Sequence, residues 1–412
     1  MMLGVVSRSR SIVRGLLALD AALLLLAGIA FLSSMGMSMA GPILPLYAIH
    51  LGATPVQLGL MTSAFAAANA LAQIAVGLFV DRAGARGFIR AGMAAFVAGS
   101  LLTATAANAV MVIVYRSVTG LGSGANLIAT RVYIAQTADP ARLAYVNGIL
   151  SAAGSTGLLF GPALGGAVAE FSDLSVPFLV VAAFGAVGLL GALYLPSPKA
   201  RIVSPADASP GHTLTTAINR SIVVLLFAQL FQQAVLGTFM TVYAPFATQI
   251  LGWSIAEVVT IYIAFGMGNI VIGPWMSHLA DRTGRRRIAV IGCLLLGLFG
   301  LVHALEAPRL IILPVVFLSG GGMTAFMASW FALVSAASPS GRQGRTLGLV
   351  SAISNVGTIG GAMISSALWE TYGLSVAIMF VTVASLLTAV TLLALRVPAR
   401  GTGHAPPHAV SE

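Results

Sequence analysis

The sequence predicts an all-α integral membrane protein with 12 transmembrane helices arranged as two six-helix bundles. Three observations predict it: a strongly apolar composition, a train of apolar runs that divides six plus six around one polar stretch, and self-similarity on sliding the chain against itself by 200 positions.

Composition sets the class. Of 412 residues, 58% are hydrophobic and 8% charged, and the mean hydropathy is +0.98. A soluble domain carries charge on about a quarter of its residues, whereas a chain bathed in lipid has no use for charge on its outer walls. Lipid also leaves exposed backbone groups without partners, so only helices or a closed barrel can cross it. Long unbroken apolar runs exclude the alternating barrel pattern. The formal charge of +10 sits singly or in short clusters between these runs, so no nucleic-acid partner is expected. Cys293 is the only cysteine, which rules out a disulfide framework or thiolate metal cage within one chain. No two histidines have metal-ligand spacing, and neither a metal nor an organic cofactor is expected.

The spans fall near 17–47, 57–79, 87–107, 109–131, 144–169 and 174–195, then 221–246, 256–279, 288–305, 309–335, 346–369 and 373–395. They organise the chain into a first bundle (1–196), a linker (197–220) rich in Pro, Ser and charge, a second bundle (221–396) and a Pro- and Ala-rich tail (397–412) expected to be disordered. Arg8, Arg10 and Arg14 precede an apolar run far longer than the ~7–15 residues of a signal-peptide core, so the first span is expected to be retained. With this map 19 of the 21 Lys and Arg residues fall on one side, the exceptions being Arg116 and Arg309. Basic loops stay in the cytoplasm, which puts the linker and both termini there in a plasma (inner) membrane protein.

The 200-residue shift superposes Leu51-Gly52 on Leu251-Gly252, Asn69 on Asn269, Asp81-Arg82 on Asp281-Arg282, Gly84 on Gly284, Gly148 on Gly348 and Gly157 on Gly357. An even number of spans per copy inserts both in the same orientation, related by an axis along the membrane normal.

Motifs then narrow the class. The loop after span 2 carries Gly77, Asp81, Arg82, Gly84 and Arg86, and its copy after span 8 carries Asp281, Arg282, Gly284 and Arg285. Gly84 and Gly284 permit a tight turn, and Asp can face the positive N-terminal end of a neighbouring helix. These loops resemble the signature loop of the major facilitator superfamily. The first departs at Ala85, where a basic residue is usual, and the second at Ser277, where Gly is usual. The resemblance implies the major facilitator fold, with Asp81 latching one half to the other and Arg82 and Arg86 as its partners.

Span 5 carries Gly148, Gly157, Gly161, Pro162, Gly165 and Gly166. Glycines four apart let a neighbouring helix approach closely, and Pro removes a backbone donor and bends the rod. The spacing looks like the antiporter motif of drug/proton exporters in that superfamily. The span 11 copy keeps Gly348, Gly357, Gly360 and Gly361 but has Ala362 and Ser365 in place of Pro162 and Gly165.

Arg116, within span 4, resembles the arginine of a family motif linked to proton transfer, although Thr119 stands where Gln is usual. Two readings fit it: proton coupling, or an arginine snorkelling to the interface. Asp20 is the acidic residue nearest a span and reads either as a gated proton acceptor or as a partner for Arg14. Candidates to touch a small-molecule substrate are Asn126, Gln229, Gln232, Gln233, Phe326, Met327 and Trp330, since amides orient a ligand while Met and aromatic rings accommodate varied apolar shapes.

The resemblance implies a secondary transporter that works by alternating access and exports small drug-like or metabolite molecules, driven by the proton gradient; a monomer embedded in lipid is expected. The rivals are an uptake carrier or facilitator for a sugar or organic acid on the same fold, a non-transporting receptor on that scaffold, and a multipass membrane enzyme. The last would need clustered His, Asp or Glu in catalytic geometry, and the sequence offers none.

Overall fold

The computed structural model describes residues 2–139, 142–196, 220–337 and 343–395, with side chains throughout except at 2–20, Asp81, Ala144 and 343–353. The linker and tail expected from composition lie outside these residues. Among the described residues the chain forms twelve helices and no strand: α1 (Met2–His50), α2 (Pro55–Ala83), α3 (Ala85–Ala104), α4 (Ala109–Thr137), α5 (Leu143–Glu170), α6 (Val176–Leu193), α7 (Arg220–Gln249), α8 (Ile255–Thr283), α9 (Arg285–Ala304), α10 (Arg309–Ala337), α11 (Gln343–Tyr372) and α12 (Leu374–Leu393).

The duplication extends to local chemistry. Thr54 caps α2 by accepting from the Gln57 amide (3.3 Å) while its own N–H donates to the Gln57 side chain (2.9 Å). Ser254 and Glu257 repeat that reciprocal box at α8, with the same two distances. The turns that follow both helices are made by Gly84 (φ 84°) and Gly284 (φ 111°), in a backbone region that side chains with a Cβ rarely adopt. These turns and the arginines around them mark what is called the basic end below; the opposite end, with the turns at Gly52 and Gly252, is the far end.

Within each bundle the helices pair in the same way. α1 packs on α5 and α6, α2 on α4, and α3 on α4 and α6; α7 packs on α11 and α12, α8 on α10, and α9 on α10 and α12. Small residues let these rods touch backbone to backbone. A Cβ built on Gly92 of α3 would come within 2.8 Å of the Gly122 carbonyl oxygen of α4, and Gly292 meets Gly322 in the same way. Among the described residues ten helices are long and apolar enough to cross a membrane, whereas α4, rich in Gly, Ser and Thr and carrying Arg116 and Arg131, falls below that apolarity. α4 lies against both α2 and α3, so little of it needs lipid-compatible side chains. Large apolar residues such as Leu71 (64% exposed) and Leu78 (70%) face outward, as a lipid solvent requires.

The bundles meet through α2 with α11, α5 with α8, and α1 with α7, contacts related by the internal pseudo-symmetry. The close approaches lie toward the far end. Gly59 of α2 sits against Ser366 and Ala362 of α11, and Gly166 of α5 against Val259 of α8. The hydroxyls of Thr62 and Thr241 share a 2.9 Å hydrogen bond, and Trp369 packs against the apolar cores of both bundles. Toward the basic end, Gly77 and Gly148 have open space beside them. The two halves are thus joined at the far end.

Candidate functional site

A cavity of about 620 Å³ lies between the bundles, within the ~300–1,000 Å³ typical of small-molecule sites. Its walls follow the duplication: Thr62 and Tyr262, Phe65 and Phe265, Ala66 and Gly266, Ser155 and Asn355, and Leu158 and Thr358 all line it, each pair 200 positions apart. A site on the pseudo-symmetry axis is what two equivalent bundles facing each other must produce.

The wall of the second bundle is aromatic. Phe239 stacks on Tyr243 (centroids 4.9 Å apart), tilts on Tyr262 (5.0 Å) and meets Phe299 edge-on (5.8 Å). His303, near a span end in the sequence, is fully buried in this cluster, its Nδ1 2.7 Å from the Phe299 carbonyl oxygen. Polar groups punctuate the wall: the Thr324 hydroxyl donates to Asn269 Oδ1 (2.7 Å), and Gln232 and Gln233 of α7 line the cavity.

Arg116 lines the wall of the first bundle, its guanidinium carbon 4.5 Å from the centroid of the Phe65 ring and its Nε buried with no hydrogen-bond partner. The equivalent position in the second bundle is Val316, buried in an apolar core. Among the described residues, no Asp or Glu lines the cavity.

Of the substrate-contact candidates, Gln232 and Gln233 reach the cavity and the others lie off it. Asn126 accepts from Thr130 within its own helix (3.3 Å) and faces Gly92. Gln229 is buried inside the second bundle with its side-chain oxygen unpartnered. Phe326 and Trp330 belong to a core cluster with Leu225 and Cys293, Met327 packs against it, and the Trp330 indole donates to the Leu225 carbonyl (2.9 Å). The reason is geometric. α10 offers Met323 and Thr324 to the cavity, but nearer the basic end α7 covers α10 and closes the site off. Sequence reading missed Phe65, Thr62, Phe239, Tyr262, Phe265, Asn269 and Asn355, although the shift that revealed the duplication also superposes Phe65 on Phe265.

The span 5 glycines divide their work. Gly157, Gly161 and Gly165 sit on the backbone of α1 at Phe31, Met35 and Met39, Gly166 meets α8, Pro162 lines the cavity, and Gly148 touches nothing within 4 Å. Most of the face therefore seals α5 to α1 within one bundle. In the second signature loop, Asp281 pairs with Arg285 across its own turn (3.3 Å) rather than with the other bundle, and Arg82 and Arg282 are exposed. The side chains of Asp20 and Asp81 lie outside the described residues.

The family model described as Major Facilitator Superfamily matches residues 26–242 and again 225–410. The chain belongs to that superfamily. It is a multipass membrane transporter of small molecules. Among its relatives, the quinolone resistance protein NorA of Staphylococcus aureus is 24% identical over 350 residues, 83% of this chain and 88% of that protein. An uncharacterized MFS-type transporter of Methanocaldococcus jannaschii is 31% identical over 163 residues, 40% of this chain and 42% of that one. Two solved structures share the fold: the nucleoside transporter NupG (TM-score 0.75, 15% identity, covering 91% of this chain and 99% of that one) and a D-xylose-proton symporter (0.75, 16%, 92% and 98%).

Proposed function

We propose that this superfamily member exports small drug-like or metabolite molecules across the plasma (inner) membrane by proton-coupled antiport, as a monomer with both termini in the cytoplasm. The observation that carries this reading is the full glycine-proline face of α5, from Gly157 to Gly166. Its spacing resembles the motif of drug/proton exporters, and it has lost Pro and Gly in the α11 copy. The similarity to the quinolone resistance protein over most of the chain supports the same direction.

The joined far end, with open space at the basic end, supports alternating access. Opening the far end and closing the basic end rocks the bundles about the cavity, with Asp81, Arg82 and Arg86 of the first loop and Asp281, Arg282 and Arg285 of the second gating the basic end. Arg116 and Asp20 are the candidates for proton coupling. Uptake by symport on the same fold is the competing direction. The deciding measurement uses proteoliposomes of known orientation under an imposed pH gradient. Export predicts dye and drug accumulation against the proton flow that collapses when the gradient is dissipated. Flux indifferent to the gradient refutes coupling, and flux moving with protons makes the protein a symporter.

A further inference from the structure

We infer that the central cavity selects organic anions, with Arg116 as the group that holds the substrate's carboxylate or equivalent acid. The inference deepens the transport reading above and rests on it only for the movement of the ligand, not for its binding.

Arg116 lines the cavity, with its Nε buried and unpartnered. The acids with described side chains, Asp139, Glu170, Asp173, Glu257, Asp281, Glu306 and Glu370, lie at helix ends or in turns and none lines the cavity. Asp20 and Asp81 belong to the basic-end portions of α1 and α2, some 20 residues further along the helix axis than Arg116, or about 30 Å at 1.5 Å per residue. An arginine cannot shed its charge by deprotonation, so among the described residues the cavity lining carries a net positive charge. Such a charge is costly and is retained where it serves a pathway or ligand.

The guanidinium lies over the Phe65 ring, a contact that holds the cation by its face, and its Nε has no hydrogen-bond partner. A planar fork of donors matches a carboxylate in two parallel hydrogen bonds, which an ammonium cannot do. The position is an addition to the duplicated frame, because its counterpart Val316 is core. Opposite it, the aromatic wall from Phe239 to Phe265 and the amides of Gln233 and Asn269 suit the apolar body and polar substituents of the same molecule. The ligand class is therefore an aromatic or amphipathic organic monoanion of drug size.

The test uses the purified full-length chain in lipid nanodiscs and three ligands of one shape: 2-naphthoate, 2-naphthamide and 2-naphthylmethylammonium. Wild-type protein is expected to bind the anion at least tenfold more tightly than the neutral isostere and to reject the cation. Arg116→Gln should abolish that preference at an unchanged thermal midpoint, with Arg116→Lys intermediate. Equal or tighter binding of the amide or the amine, binding of none at millimolar concentration, or an anion preference that survives in Arg116→Gln overturns the inference. The wild-type comparison needs no variant to fold. Loss of gradient-driven flux in Arg116→Gln with the anion preference intact assigns the residue to coupling and overturns it as well. Anion-selective binding without flux in proteoliposomes sustains the inference and refutes the export reading instead.

Discussion

The hydroxyls of Thr62 and Thr241 stand 2.9 Å apart, one on each bundle, and form a hydrogen bond across the interface that closes the far end. Thr241 also bonds the Gly237 carbonyl within its own helix (2.9 Å), so deleting the partner hydroxyl strands nothing. Interhelical hydrogen bonds in membranes are worth about 0.6–1 kcal/mol. Thr62→Val should reduce the far-end-closed population relative to its alternative by roughly three- to fivefold, read as a shift in spin-label distances between the far ends of α2 and α11. An unchanged distribution would mean that the bond persists in both states.

Gly166 and Gly161 should respond differently to a methyl group. At Gly166 the obstacle is the side chain of Val259, and at Gly161 it includes the backbone of Met35 and Met39. Gly166→Ala should therefore impair transport and be rescued by Val259→Ala. Gly161→Ala should not be rescued by trimming Ser38, because main chain cannot be shortened. Transport in inverted vesicles, normalised to protein level, distinguishes the two.

Arg90 donates to the Ala192 and Leu193 carbonyls (3.1 and 2.7 Å) at the end of α6, and Arg286 donates to the Leu393 carbonyl at the end of α12. Each satisfies orphan carbonyls and complements the negative end of a helix. Replacing either by Gln should cost about 1 kcal/mol, a fall of a few °C in the thermal midpoint. The two losses should add, since they lie in separate bundles, and turnover per folded molecule should stay constant.

Trp330 and Gln233 separate core from cavity. Trp330→Ala empties a buried site and should cost about 3–5 kcal/mol, visible as lost expression or a low thermal midpoint. Gln233→Ala should leave the midpoint almost unmoved while changing ligand affinity severalfold, because its side chain borders the cavity. Ligand-binding titrations and thermal melts of the two variants provide the comparison.

Much of the architecture was legible because a bilayer imposes one-dimensional rules. Each helix must bury its backbone groups internally and span a fixed thickness, so spans from 57–79 to 373–395 match α2 to α12 to within a few residues at most ends. The repeat carried the pairing of Gly84 with Gly284, because a turn that needs a positive φ admits little but glycine. The cavity was less legible. Gln232 and Trp330 look equally plausible as ligand contacts, yet one borders the cavity and the other is sealed under Leu225.

By itself, then, the sequence determined the twelve helices, their division into two like halves and the superfamily to which they belong, since hydropathy, turn glycines and loop motifs are local properties. Only the tertiary structure decided which end joins the bundles, that the α5 glycines seat mainly on α1, and that Arg116 shares the cavity with no carboxylate among the described residues. Those facts depend on the rotation and tilt of neighbouring helices, which packing sets and no single span encodes.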